Sequence, residues 1–123
     1  MRGAQFLSVA SMLESYDGEE WDRIRISRLY YGVYLEYRSF AEERLGFSRH
    51  NLAREHRIVA DLFQALDPDT AEDLRTLRIL RNQADYDLHL SPKVIAIRLA
   101  TAVPLAQSMI DRLAELRSSP GGA

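Results

Sequence analysis

Apolar residues recur along this chain at the three- and four-residue steps of an α-helix and rarely alternate as in a strand, which predicts an all-α fold. The first helix is expected from Ala4 to Tyr16, with Phe6, Val9, Ala10 and Leu13 on one face and a stop at Asp17-Gly18. A longer second helix, from Glu20 to Leu45, carries Ile26, Leu29, Tyr30, Val33, Tyr34, Tyr37, Phe40 and Ala41 in one broad stripe, and Gly46 is its natural stop. Tyr31 and Leu35 fall on the opposite side. This helix therefore has apolar neighbours on two faces and is either central or shared with a second subunit.

The third helix is expected from Leu52 to Leu66, with Ile58, Val59, Leu62 and Phe63 inward and a break at Asp67-Pro68. The fourth runs from Thr70 to Ala84 on a stripe of Leu74, Leu77, Leu80 and Ala84. Ser91-Pro92, a hydroxyl N-cap followed by proline in the first turn, starts a fifth helix that continues to Arg117 and should bend at Pro104. The expected architecture is an antiparallel bundle of four to five helices. Residues 1–117 form one domain, and the S-S-P-G-G-A tail, 118–123, is expected to be disordered.

At 123 residues one hydrophobic core suffices, and the absence of cysteine removes disulfide scaffolds, thiol catalysis and cysteine-based zinc sites. A formal net charge of −2 provides no molecule-wide attraction for nucleic acid or anionic lipid, so any such binding needs a local patch. Every basic residue except Lys93 is an arginine, and no G-K-[ST] sequence is present to make a P-loop. Arginine's planar fork suits phosphate and carboxylate; a GC-rich coding bias would produce the same letters. Neither a leader-like N-terminus nor eighteen consecutive apolar residues are found, so the reading is a soluble cytoplasmic protein without a membrane partner.

Arg81 is the most informative position. It falls about 50° from the centre of the fourth helix's apolar stripe, between Leu77 and Ala84. A guanidinium there requires an anion, and Asp85 follows at i+4. Two readings stay open: a structural ion pair tying the fourth helix to the second, or a phosphate ligand in a cleft. Arg75 and Arg78 precede it as a basic ridge, which is either a phosphate-binding surface or a solvated face partly neutralised by Glu72 and Asp73.

The stretch S-R-L-Y-Y-G-V-Y from Ser27 to Tyr34, the Glu55-His56 pair before an apolar run, and R-N-Q-A-D-Y from Arg81 to Tyr86 together resemble a HEPN domain. The likeness covers nearly the whole chain and is nearest to small stand-alone HEPN proteins with S-R-x-Y-Y and R-x-x-A-D-Y. It implies a helical bundle, usually a homodimer, with the polar motif of the fourth helix facing a cleft between subunits. It also implies RNA or a nucleotide as ligand, no cofactor, and a toxin–antitoxin or phage-defence setting. Some members partner a nucleotidyltransferase; others are metal-independent ribonucleases. The binding candidates are Arg81, Asn82, Asp85 and Tyr86 of that motif, with Arg78 from the basic ridge and Tyr31 from the opposite side of the second helix as a subunit contact or cleft wall.

The ribonuclease members place a histidine four to six residues beyond the arginine and its polar neighbour. Here Arg81 and Asn82 match, but Tyr86 stands where the shortest spacing wants histidine, and His89 comes one residue too late. Attack by a ribose 2′-hydroxyl needs a group that exchanges a proton near neutral pH, and an ordinary phenol, with a pKa of about 10, is a weak base there. Arg81 with His89 in reserve as general base is thus the catalytic candidate, set against weak or absent catalysis and against a purely structural interaction module. Tyr86 could contact a phosphate, stack on a base, accept a modifying group, or simply close the end of the bundle. Tyr30, Tyr34 and Tyr37 are expected in the core, and His56 as a structural histidine. His50, His56 and His89 lack the spacing of metal ligands on one helical face, so no metal site is expected.

Overall fold

In the computed structural model, which describes residues 2–49 and 52–119, the chain folds into five packed helices with no strand among the described residues. They are α1 (Gly3–Met12), α2 (Glu19–Arg44), α3 (Glu55–Leu66), α4 (Pro68–Tyr86) and α5 (Pro92–Ser118). A short 3-10 turn, Leu13–Ser15, follows α1. The expected stripe of α2 is buried almost throughout: Ile26, Tyr30, Val33, Tyr34, Tyr37, Phe40 and Ala41 all lie in the core, and Leu29 packs at its edge. Its partners are Val59 and Phe63 of α3, Leu74, Leu77, Leu80 and Ala84 of α4, and Ile95, Leu99, Ala102, Ala106, Met109 and Leu113 of α5.

The second apolar side of α2 is covered in part within the chain, where α1 packs on it and Tyr31 and Leu35 are half-buried. Helices α1 and α2 approach so closely that a Cβ on Gly3 would stand 2.3 Å from the Gly32 carbonyl oxygen, and one on Gly32 would stand 2.6 Å from the Leu7 side chain. Only glycine permits that crossing. Glu36 of α2 seats the N-terminus of α1 by accepting the Ala4 N–H at 3.0 Å.

Helix ends follow local chemistry. Gly46, at φ 73°, turns the chain out of α2, and the Phe47 N–H returns to the Ala41 carbonyl at 3.1 Å while its ring is buried. Asp67 alone separates α3 from α4. Pro68 does not merely end α3 but opens α4, because proline at the first helical position gives up a donor that has no partner there. The Ser91 hydroxyl accepts the Val94 N–H at 3.2 Å.

Several expected boundaries shift. Helix α1 ends at Met12 rather than Tyr16, and α3 begins at Glu55 after a turn rather than at Leu52. Helix α5 runs unbroken through Pro104 and includes Ser118. Ser118 therefore does not belong to a tail, and Pro120 to Ala123, like His50, lie outside the described residues. By length and composition alone α5 is also apolar enough to cross a membrane, although here it packs on α2 and α4.

Two arginines of α2 close the carbonyl ends of other helices. Arg23 donates to Gln83 O at 3.2 Å, Ala84 O at 3.0 Å and Leu90 O at 3.2 Å, capping α4. Arg44 donates to Leu116 O at 3.0 Å and Arg117 O at 2.9 Å, capping α5. Each places a cation where carbonyl dipoles accumulate.

Candidate functional site

The stripe position of Arg81 directs its side chain inward, where it is 13% exposed among groups from α2 and its own helix. Its Nε lies 3.0 Å from Asp85 Oδ2, an ion pair out of line for a hydrogen bond. One terminal nitrogen donates to Asn82 Oδ1 at 2.7 Å and the other to the Tyr31 hydroxyl. The guanidinium carbon is 4.9 Å from the ring centre of Tyr31, 5.8 Å from Tyr30 and 5.6 Å from Tyr86. Ser27, at the start of the S-R-L-Y-Y stretch, donates to Asp85 Oδ2 at 3.3 Å. The pair thus joins α4 to α2, with Asp85 shared between them.

The floor comes from the start of α3. Glu55, almost fully buried, accepts Tyr34 Oη at 2.7 Å and Arg38 at 2.9 Å. This fixes the next residue, His56, whose ring stacks on Tyr34 at 4.2 Å and on Tyr30 at 5.5 Å. Tyr30 Oη and His56 Nδ1 share a hydrogen bond. Burial, with Arg78 and Arg81 adding repulsion, lowers the His56 pKa to about 4, so the imidazole is neutral at pH 7. Burial also drives the Tyr30 phenol far above its usual range. A protonated phenol beside a neutral imidazole donates to Nδ1 and leaves the ring proton on Nε2.

Arg78, one turn before Arg81, completes the group. It is half-buried, its Nε is shielded from solvent, and among the described residues it makes neither a hydrogen bond nor an ion pair. The basic ridge is accordingly divided. Arg75 is neutralised from α3, by Asp61 at 2.8 Å and Gln64 at 2.9 Å. Asp73, expected to quench the ridge, instead holds Arg112 of α5 at 2.9 Å. Two cations therefore adjoin His56 and Tyr30, with only Arg81 bearing a carboxylate partner.

The remaining site residues separate. Tyr31 is half-buried against Arg81, Phe6 and the other aromatics, so its contacts lie within the chain. Asn82 is exposed. Tyr86 does not close the end of the bundle: it is 71% exposed, with the Arg81 guanidinium over its ring. His89 is exposed in the loop after α4, its backbone N–H held by Asp87 Oδ1 at 3.2 Å. The histidine brought to Arg81 is His56, carried by a different helix. Its signal in the sequence was slight: an acid-histidine pair opening an amphipathic helix, opposite tyrosines spaced to reach it.

Among the described residues no three histidine, aspartate or glutamate side chains gather as a cation site. Comparison with protein-family models, curated proteins and solved structures finds no significant match.

The arrangement can bind an anion. Arg78 offers unused donors, Arg81 offers those not engaged by Asp85, Asn82 and Tyr31, and Tyr86 offers an exposed ring. Proton transfer is poorly served, because His56 Nδ1 is occupied by Tyr30 and its basicity is depressed.

Proposed function

We propose that this chain is a HEPN-like module that binds RNA or a nucleotide through phosphate at Arg78 and Arg81, with weak or no catalysis. The observation that carries the reading is Arg78: a half-buried guanidinium with a shielded, unpartnered Nε beside a second arginine, in a protein of net charge −2. Desolvating a cation without a partner is costly, and a phosphate bridging Arg78 and Arg81 would remove the penalty. The open Tyr86 ring supports base stacking next to that phosphate. Weak catalysis fits a histidine whose acceptor nitrogen is already engaged. The setting that accompanies the resemblance is a cytoplasmic toxin–antitoxin or phage-defence system with a nucleotidyltransferase partner, and the free Tyr86 hydroxyl suits a modifying enzyme of that kind.

Fluorescence anisotropy with a labelled single-stranded RNA, over a salt series, tests the reading. Arg78→Ala should weaken binding and reduce the salt slope by about 0.7, the contribution of one phosphate contact on a single strand. The labelled RNA should remain intact. If it is cut, His56→Gln and His89→Gln decide which histidine is responsible. No binding by RNA, mononucleotide or inorganic phosphate would sink the proposal.

One observation favours a second reading, a purely structural module: the Arg81 guanidinium already has a partner at each nitrogen. On that reading both arginines can be replaced without altering any ligand equilibrium.

A further inference from the structure

Arg28 of α2 stands apart from the paired arginines of this protein. Arg23, Arg38 and Arg81 each have a carboxylate one helical turn away, in Glu19, Glu42 and Asp85. One turn from Arg28 stand Ile24, Arg25, Tyr31 and Gly32, none of them acidic. Its guanidinium carbon lies 5.6 Å from the ring centre of Phe6, on α1, and among the described residues it forms neither a hydrogen bond nor an ion pair. A half-buried guanidinium resting on a ring keeps its donors free for an anion.

The Phe6 ring connects Arg28 to the site around Arg81. Phe6 and Tyr31 lie 6.1 Å apart between ring centres, and the Arg81 guanidinium is 4.9 Å from Tyr31 and 5.6 Å from Tyr86. Two cations and three rings thus follow one another from α1 across α2 to α4, in the order Arg28, Phe6, Tyr31, Arg81, Tyr86. Phe6 and Tyr31 are only half-buried, so each ring keeps an open part. A mononucleotide has use for Arg78, Arg81 and Tyr86 alone. A second cation beyond two further rings matches a single strand, whose backbone repeats its charge and whose bases each present a face. We infer that Arg28 is a second phosphate subsite and that the ligand is single-stranded RNA, with one phosphate at Arg78 and Arg81, another at Arg28, and Phe6 and Tyr31 as the wall between them. The inference rests on the phosphate-binding reading of Arg78 and Arg81 and narrows it from a nucleotide or RNA to a strand.

Equilibrium binding of adenosine 5′-monophosphate and of 5′-phosphorylated hexaadenylate to the full chain, over a salt series, tests it. The wild type should prefer the hexanucleotide by about tenfold or more. Arg28→Ala should cut that preference to about threefold or less and lower the salt slope for the hexanucleotide by about 0.7, the share of one phosphate contact. Loss of stacking alone would leave the slope unchanged. Arg28→Lys gives up the planar fork over Phe6 but keeps the charge, so it should keep the slope and separate lost packing from lost charge. Arg78→Ala, by contrast, should weaken both ligands. If the mononucleotide binds through Arg78 but the hexanucleotide binds no tighter, the inference is overturned and the reading of Arg78 and Arg81 survives. A preference and slope indifferent to Arg28→Ala overturn it in the same way, and if neither ligand binds, both fall.

Discussion

Tyr30 and His56, one from the middle of α2 and the other from the first turn of α3, are joined by a hydrogen bond between the phenol oxygen and Nδ1, beneath the guanidinium of Arg81. The phenol can donate to Nδ1 only while the imidazole is neutral; once the ring is protonated Nδ1 becomes a donor and the phenol oxygen must turn to accept it.

Acid should therefore act on this pair. His56 has a folded-state pKa of about 4 against an unfolded value of 6.5, so between those limits the unfolded chain binds more protons. Stability falls as the pH drops from about 6.5 to 4 and loses nothing more to this group below that; the full shift corresponds to about 3 kcal/mol, which solvent screening of a partly buried ring reduces to on the order of 2 kcal/mol. Thermal melts across pH 4 to 7 check it. His56→Gln should flatten that part of the profile, and an unaltered profile would assign the acid sensitivity to other groups.

The two arginines should differ in stability as well as in binding. Arg81→Ala strips Asp85 of its ion pair and leaves the Tyr31 hydroxyl without its donor, a loss of about 2 kcal/mol and several degrees in Tm. Arg78→Ala removes no hydrogen bond or ion pair among the described residues, so calorimetry should find stability within about 0.5 kcal/mol of wild type, or raised. Equal losses would mean that Arg78 has a structural partner after all.

Asp85 competes with any incoming anion for Arg81. Asp85→Asn keeps the shape of the side chain but frees the guanidinium from its carboxylate, and affinity for inorganic phosphate or RNA should rise by about three- to tenfold. Titration at constant ionic strength measures it; a weakened affinity would show that Asp85 holds Arg81 in its binding posture instead.

Tyr86 offers a nearly clean separation of binding from folding. With 71% of its surface exposed, Tyr86→Ala should leave the melting temperature almost unmoved. Stacking on a base is worth about 1 to 3 kcal/mol, so RNA affinity should fall by about tenfold. Inorganic phosphate, which has no ring to stack, should bind as before.

At the α1–α2 crossing the two glycines are not equivalent. Gly3→Ala drives a methyl into the Gly32 backbone carbonyl, which cannot yield without lifting α1, whereas Gly32→Ala meets chiefly the Leu7 side chain, which can rotate. Overpacking of this kind costs about 1 to 3 kcal/mol. Chemical denaturation should place Gly3→Ala at the upper end and Gly32→Ala at the lower.

Helical periodicity carried most of the architecture. Leu74, Leu77, Leu80 and Ala84 repeat at the helical step, and that repeat alone put Arg81 on an inward face with Asp85 in reach. Gly46 and Ser91-Pro92 marked their helix ends because the backbone chemistry at those points is local. What escaped was set by tertiary arrangement. Arg78 and Arg75 sit three residues apart on one ridge, and nothing local says that Asp61 of α3 neutralises one and not the other. His56 is adjacent in sequence only to Glu55; its partners Tyr30 and Tyr34 lie on α2 and met it through packing. For Tyr86, closing the bundle end is one of several readings, and nothing local in the sequence says that its ring is left 71% exposed.

The arginine clasp on α4 bears on how quickly the proposed site at Arg78 and Arg81 would bind. Arg23 grips the Gln83 and Ala84 carbonyls in the same final turn that carries Arg81 to Tyr86, so a segment that would ordinarily fray is secured to the central helix. On the proposed function, the groups from Arg81 to Tyr86 are consequently set in place before a ligand arrives. Association should proceed at the pace of encounter, free of a slow ordering step, and cutting that clasp would slow capture without altering one residue that touches the guest.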